Sequence, residues 1–316
     1  MPLDPAIIEK YRKSGRLAAE ALEYGSGLIK EGALLLDVAD KIEDFIRSKG
    51  GKPAFPVNIA IDSVAAHFSP FHDSKDVFAK GELAKLDVGV HFDGYIGDTA
   101  RTVEVGTKNQ SQLIKASEEA LEAVIEMMKP KTRMETIGAA VENTINSFGY
   151  EPIANLSGHG LAQYALHTGV SVPNVPENSC EFVAEGAVLA IEPFATDGAG
   201  SVVEGTPSSI YRLVRTEDAS MTGKPGFLSR ILGKGGNVDE TGKFLDLIRY
   251  EYRTLPFSER WCNSIDRNAR QKLQALSKYK VISCYPMLKE AGGGIVSQSE
   301  HTVLVTADGC EVLTRR

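Results

Sequence analysis

The 316-residue chain has no long hydrophobic run, no closely paired cysteines and no excess of basic residues. Its longest stretch free of Asp, Glu, Lys and Arg, Pro152 to Pro176, carries His, Asn, Gln, Gly and Pro, which a bilayer would reject. Cys180, Cys262, Cys284 and Cys310 lie far apart and form no CxxC pair, which argues against a zinc finger and against a disulfide framework. Lys and Arg number 35 against 42 Asp and Glu, a net charge of −7. Little is left over to neutralise phosphates, so a nucleic-acid binder is not expected, although a local basic patch is not excluded. The opening MPLDPAIIEKYRKSGR contains no apolar segment of the kind a secretory signal needs. A cytoplasmic, reducing setting without a membrane is the expectation.

What is present is ordinary globular material, 42% hydrophobic and 24% charged, enough for one large domain or two smaller ones. Helical periodicity covers Pro5 to Lys30 and Leu36 to Ser48, the latter ending at Gly50-Gly51. Strand-like runs Ala84–Phe92 and Tyr95–Val105 follow, joined by Asp93-Gly94, a strong two-residue hairpin signal. The order then recurs, with helices over Ser111–Met128 and Met134–Phe148 and strands over Pro152–Ser157 and Ala187–Phe194. Two passes of the same order predict a duplicated α/β (α+β) unit around one sheet. Residues 214–280 break the pattern: they are more charged and hold two helical segments, Thr241–Tyr252 and Asp266–Tyr279. An inserted helical subdomain is the simplest account, with 1–213 and 281–316 forming the main domain.

A two-residue turn at Asp93-Gly94 sets Asp87 opposite Ala100 and Asp98 opposite Gly89. Asp87 and Asp98 then share one face of the hairpin, a diagonal step of roughly 7–8 Å apart. Leu86, Val88 and Val90 alternate with Asp87, so both faces look buried. Two acids enclosed there need something positive between them. Glu192 in AVLAIEPFA and Glu300 in IVSQSEHTVLV pose the same problem, being acids inside apolar strand runs. His159 lies in the charge-free, Gly-flanked NLSGHGLAQYALHTG, where a neutral imidazole suits a metal. Taken singly, each acid could serve a structural ion pair. Taken together, Asp87, Asp98, His159, Glu192 and Glu300 would balance two divalent cations, with Mn, Fe, Co and Zn all compatible.

These motifs are similar to those of the methionine aminopeptidases, specifically the type 2 class of archaea and eukaryotes, within the pita-bread metallopeptidases. AFP at Ala54–Pro56, AAHFSP at Ala65–Pro70, KLDVGVHFDGYIGDTA, SGHGLAQYALHTG, AIEPFA and SEHTVLV occur in family order and spacing. The resemblance covers nearly the whole chain. It implies a pita-bread fold, pseudo-two-fold helix-helix-hairpin halves around a curved antiparallel sheet, with a winged-helix-like insert. By the same resemblance, Asp98 and Glu300 bridge two metals, Asp87 chelates one, and His159 with Glu192 binds the other. Glu192 would also accept a proton, His167 would stabilise the oxyanion or protonate the leaving nitrogen, and His67 would position the scissile amide. Phe55, Leu166, Ile210 and Tyr285 would form the narrow apolar side-chain pocket; Ile210 stands where some relatives carry His. His72, His91 and His301 are read as structural.

The implied activity is removal of N-terminal methionine from nascent proteins with a small second residue, by a monomer. Xaa-Pro aminopeptidases and prolidases share the five ligands, but usually carry a large N-terminal domain, and would leave the insert unexplained. A non-catalytic ribosome- or RNA-binding member would typically have lost ligands. Lys and Arg clustered between Arg212 and Arg230 are compatible with ribosome contact alongside catalysis.

Overall fold

The structure, a computed structural model, describes residues 3–214 and 237–315. Helix α1 (Pro5–Ser26) starts where Asp4 caps it, the Asp4 carboxylate accepting from the Ala6 N–H at 2.8 Å with Pro at the first helical position. It ends at Ser26, four residues before the expected Lys30, with the N–H of the capping Gly27 closing the last turn on the Glu23 carbonyl. Helix α2 (Leu35–Ser48) buries Leu35, Val38, Ala39, Ile42 and Ile46 along one stripe. Short strands β1 (Lys52–Pro53), β2 (Asn58–Ile61) and β3 (Val64–Ala66) lead to the hairpin β4 (Leu83–Phe92) and β5 (Tyr95–Glu104). Asp93 and Gly94 both have positive φ, 52° and 85°, as a type I′ turn requires. The expected register follows, with Asp87 opposite Ala100 and Gly89 opposite Asp98.

The second half repeats this order with α3 (Ser111–Met127) and α4 (Met134–Ser147). Its strands depart from expectation. In place of Pro152–Ser157 there are β6 (Glu151–Pro152) and β7 (Ser157–Gly160), separated by a turn, and β8 (Ser171–Pro173) follows. In place of one strand to Phe194 there are β9 (Val188–Ile191) and β10 (Phe194–Thr196), because Pro193 has no N–H to continue the ladder. Strand β11 (Val202–Leu213) precedes the insert, whose described part holds α5 (Asn237–Tyr252), β12 (Phe257–Ser258), α6 (Glu259–Cys262) and α7 (Ala269–Lys278). These pack around a core of their own that includes Phe244, Ile248, Phe257, Trp261 and Leu273. Of the basic cluster between Arg212 and Arg230, residues from 215 onward lie outside the described residues. The chain returns through β13 (Ile282–Glu290), β14 (Val296–Val305) and β15 (Cys310–Val312).

Among the described residues the strands form an eleven-stranded and a four-stranded sheet. In the larger sheet the hairpin β4–β5 of the first half has its counterpart in the antiparallel pair β9–β14 of the second, and β5 joins β14 at the seam. Leu86, Val88 and Val90 face α1 and α2 in one core, and Leu189, Ile191, Val303 and Val305 face α3 and α4 in another. The residues alternating with them therefore face away from both helix pairs. Ala100 pairs with Asp87 on one side and Glu300 on the other, so these positions lie abreast on three neighbouring strands.

Candidate metal centre

The acids converge where the two halves meet. Asp98 is locked by Thr302, whose hydroxyl accepts from the Asp98 N–H at 2.8 Å and donates to its carbonyl at 2.7 Å. Thr99 donates to the Glu300 carbonyl at 2.8 Å, pinning the neighbouring strand. His159 enters from β7, in register with Ala190 of β9. It is flanked by glycines because a Cβ at Gly158 would lie 2.2 Å from the Ala190 carbonyl, and one at Gly160 2.2 Å from the Thr168 hydroxyl. Ligand atoms of Asp98, His159 and Glu300 lie within 4.8 Å of one another. His159 Nε2 is 3.8 Å from Asp98 Oδ2 and 3.6 Å from Glu192 Oε1. Glu192 follows β9 at the Pro193 break, which turns it out of the ladder.

Asp98, His159 and Glu300 are buried, and the small exposure of Asp87 and Glu192 opens into a shared cavity of about 70 Å³. His67, His167, Phe55, Leu166, Ile210 and Tyr285 line the same cavity. No described Lys or Arg lines it. Oδ1 of Asp87, Oδ1 of Asp98 and Oε1 of Glu300 are buried with no hydrogen-bond partner. Such groups are costly unless protonated or ligated. Burial, reinforced by neighbouring carboxylates, holds Asp98 and Glu300 well above the ordinary carboxylate range, and burial with the charge of Asp87 does the same for Glu192. Burial raises Asp87 to about 7. Burial also pushes His159 down to about 3, leaving a neutral imidazole able to ligate. Unpartnered oxygens beside a neutral imidazole, in a cavity that no described Lys or Arg lines, fit divalent cations; an ion-paired structural cluster would show Arg or Lys here.

The chain belongs to the methionine aminopeptidases of metallopeptidase family M24. The pattern of that family matches residues 9–222. The chain is 40% identical over 307 residues to the methionine aminopeptidase of Methanocaldococcus jannaschii, covering 97% of this chain and 98% of that one. It is 40% identical over 310 residues to that of Pyrococcus horikoshii, covering 97% and 99%. The crystal structure of the Thermotoga maritima methionine aminopeptidase superposes with a TM-score of 0.70 at 22% identity, covering 100% of this chain and 99% of that one. The fold is thus the pita-bread fold of M24 peptidases, and the protein is a hydrolase of the metallo-exopeptidase kind.

Around the acids, this M24 site holds two further histidines in defined states. His67 has φ of 62°, a left-handed conformation unusual for a residue with a side chain. Its Nδ1–H donates to the Pro286 carbonyl at 3.2 Å, and its ring lies 5.0 Å from that of Tyr285. The His167 ring lies 4.3 Å from that of His159. Burial lowers both His67 and His167, the latter to about 4, with the charge of Arg212 contributing in each case. His91 lies outside this cavity and accepts from the Gly94 N–H at 3.1 Å. His301 bonds Thr314, and His72 lies 3.4 Å from Glu259.

Sequence reasoning missed four lining or supporting residues. Gln298 stands two residues before Glu300 on the same face of β14, its amide 3.4 Å from Glu192 and 3.5 Å from Glu300. That alternation was readable. Asn58 lines the cavity opposite Asp87 across β2 and β4, and Ala66 lines it from β3. Pro256, delivered by the insert, had no signal at all. A larger cavity of about 1120 Å³ lies between α2 and the insert and shares only Pro256 with the site. Its acids Asp40 and Glu43 are paired with Arg260, which distinguishes it from the metal centre.

Proposed function

We propose that the chain releases N-terminal methionine from peptides and nascent proteins whose second residue is small, with two divalent cations held by Asp87, Asp98, His159, Glu192 and Glu300. The observation that carries this reading is the single cavity in which those five groups meet an apolar wall of Phe55, Leu166, Ile210 and Tyr285. Such a wall suits an unbranched thioether. The cations, when bound, would activate a water and polarise the scissile carbonyl, as two-metal hydrolysis is recognised to do in aminopeptidases.

The remaining chemistry falls to the chain. Glu192 is the proton acceptor beside the reacting carbonyl. His167, neutral at working pH, donates an N–H to the developing oxyanion. His67 has Nδ1–H committed to Pro286, which leaves Nε2 to accept from the scissile amide N–H and orient it. The long segment between Glu192 and Glu300 supports a type 2 enzyme, with residues 214–280 as the insert and 1–213 with 281–316 as the catalytic unit.

The test is turnover and metal content on one sample. Chain loaded with cobalt or manganese should release Met from Met-Ala and Met-Gly peptides and hold about two metals per molecule. Hydrolysis of Xaa-Pro peptides but not of Met-Ala would move the chain to the proline-specific enzymes. Asp98→Asn should lose both metals and turnover; unchanged metal content in that variant would overturn the ligand set.

A further inference from the structure

The rim of the cavity carries one cation that the chemistry above does not use. On β11, Tyr211 and Leu213 pack into the core of the insert, while Ile210 lines the cavity. Arg212 alternates with Tyr211 and Leu213, so it shares the face of Ile210 one step further out, and it is exposed. Ser283 sits opposite Arg212 in the β11–β13 register, and Arg212 Nε donates to its hydroxyl at 3.2 Å. The guanidinium carbon stands 5.1 Å from the centre of the Tyr285 ring, itself 5.0 Å from the ring of His67. Among the described residues no carboxylate pairs with Arg212.

We propose that Arg212 is a specificity-determining residue, whose guanidinium binds a substrate carboxylate at the third residue, counted from the methionine that is released. The proposal rests on the aminopeptidase reading, in which His67 marks the scissile amide. Two ring contacts separate His67 from the guanidinium, roughly 10 Å at most; less about 3 Å for the contact itself, that leaves about two residues of extended chain beyond the scissile amide, the second and third of the substrate. The chemistry recognised is a carboxylate, from either the C-terminus of a tripeptide or an acidic side chain in a longer substrate. A planar guanidinium held at Nε by Ser283 and hydrogen-bonded to the Tyr285 hydroxyl beside its ring is already oriented for such a group, so little side-chain freedom is lost on binding. The site is open to water, so the gain is modest and screened by salt.

The experiment compares kcat/KM of the manganese-loaded chain on two pairs of peptides. One pair is Met-Ala-Ser and its C-terminal amide; the other is the amides of Met-Ala-Glu and Met-Ala-Gln. The acid member of a pair should be favoured roughly three- to tenfold, through KM, with the preference shrinking as salt rises. A preference in the first pair alone identifies the terminal carboxylate, and in the second pair the side chain. Arg212→Gln should bring the ratios near one. Arg212→Glu should reverse the charge preference, favouring the amide of Met-Ala-Lys over that of Met-Ala-Gln. Melting curves superposing on that of the unaltered protein would show that both variants fold. The proposal is overturned if the unaltered chain treats both pairs alike. It is also overturned if Arg212→Gln slows all four peptides equally and moves the pH profile, since Arg212 would then act on His67 and His167. A chain inert toward every peptide overturns the aminopeptidase reading and this proposal with it, whereas activity without discrimination overturns this proposal alone.

Discussion

Asp87 has one buried oxygen without a partner, and enclosure lifts its pKa from 3.8 to about 7. Between those values the folded protein without cations holds a proton there that the unfolded chain has released. Stability from this group is therefore complete below pH 4 and is lost as pH rises through about 7. At about 1.4 kcal/mol per pH unit, the ionised carboxylate costs the metal-free fold about 4 kcal/mol at pH 8. Asn is similar in size and never ionises, so Asp87→Asn should stabilise the protein in EDTA by about 2–4 kcal/mol at pH 8 and by little at pH 4. Metal works against this lead: free metal at a hundred times Kd adds about 2.7 kcal/mol to the unaltered protein, and the variant, short of a ligand, gains less, so the difference at pH 8 should shrink. Urea melts of both proteins from pH 4 to 8, with EDTA and with manganese, read all four limbs. A variant less stable than the unaltered chain in EDTA at pH 8, or a difference that does not change with pH, would refute the argument that cations replace protons at this cluster.

Three further outcomes follow from other parts of the molecule. Glu43 on α2 is fully buried and accepts from Arg260, from Trp261 Nε1 at 2.5 Å and from the Val57 N–H at 3.1 Å, so Glu43→Gln should cost about 3–5 kcal/mol in urea melts by removing one of the two carboxylates that neutralise the buried Arg260. A loss under about 1 kcal/mol would mean that the insert is not held to α2 by this pair. A Cβ at Gly89 would lie 2.2 Å from the Phe55 ring, so Gly89→Ala should cost about 1–3 kcal/mol and raise KM for Met-Ala peptides; unchanged KM would remove Phe55 from the pocket wall. Burial holds His91 at about 4, below its ordinary 6.5, so its contribution is present above pH 6.5 and is lost as pH falls through 4. His91→Asn should flatten the acid limb of stability by about 3 kcal/mol, and an unchanged limb would show that protonation elsewhere dominates.

The hairpin carrying two of the acids was legible because turn chemistry is local. A type I′ loop needs a residue pair tolerant of positive φ at both positions, which Asp93-Gly94 supplies, and once it closes the hairpin strand alternation dictates that Asp87 and Asp98 share a face. The strand break at Pro193 was equally local, and reading it would have set Glu192 outside the ladder from the start. Buried acids in apolar runs marked Glu192 and Glu300 as needing a positive partner, again from neighbours in the chain alone.

Tertiary structure decided how these pieces meet. The β5–β14 seam sets Ala100 beside Glu300, two hundred positions away, through backbone hydrogen bonds that have no dependence on side-chain identity. The wall contributed by Pro256, the amide of Gln298 reaching two carboxylates, and the seating of Arg212 over Tyr285 arise the same way. Amino-acid types and their periodicity determined which groups had to be neutralised and which faces had to be buried. Which distant strands lie side by side depended on the packing of whole helix pairs against one sheet, a sum of many weak contacts that no single stretch of sequence displays.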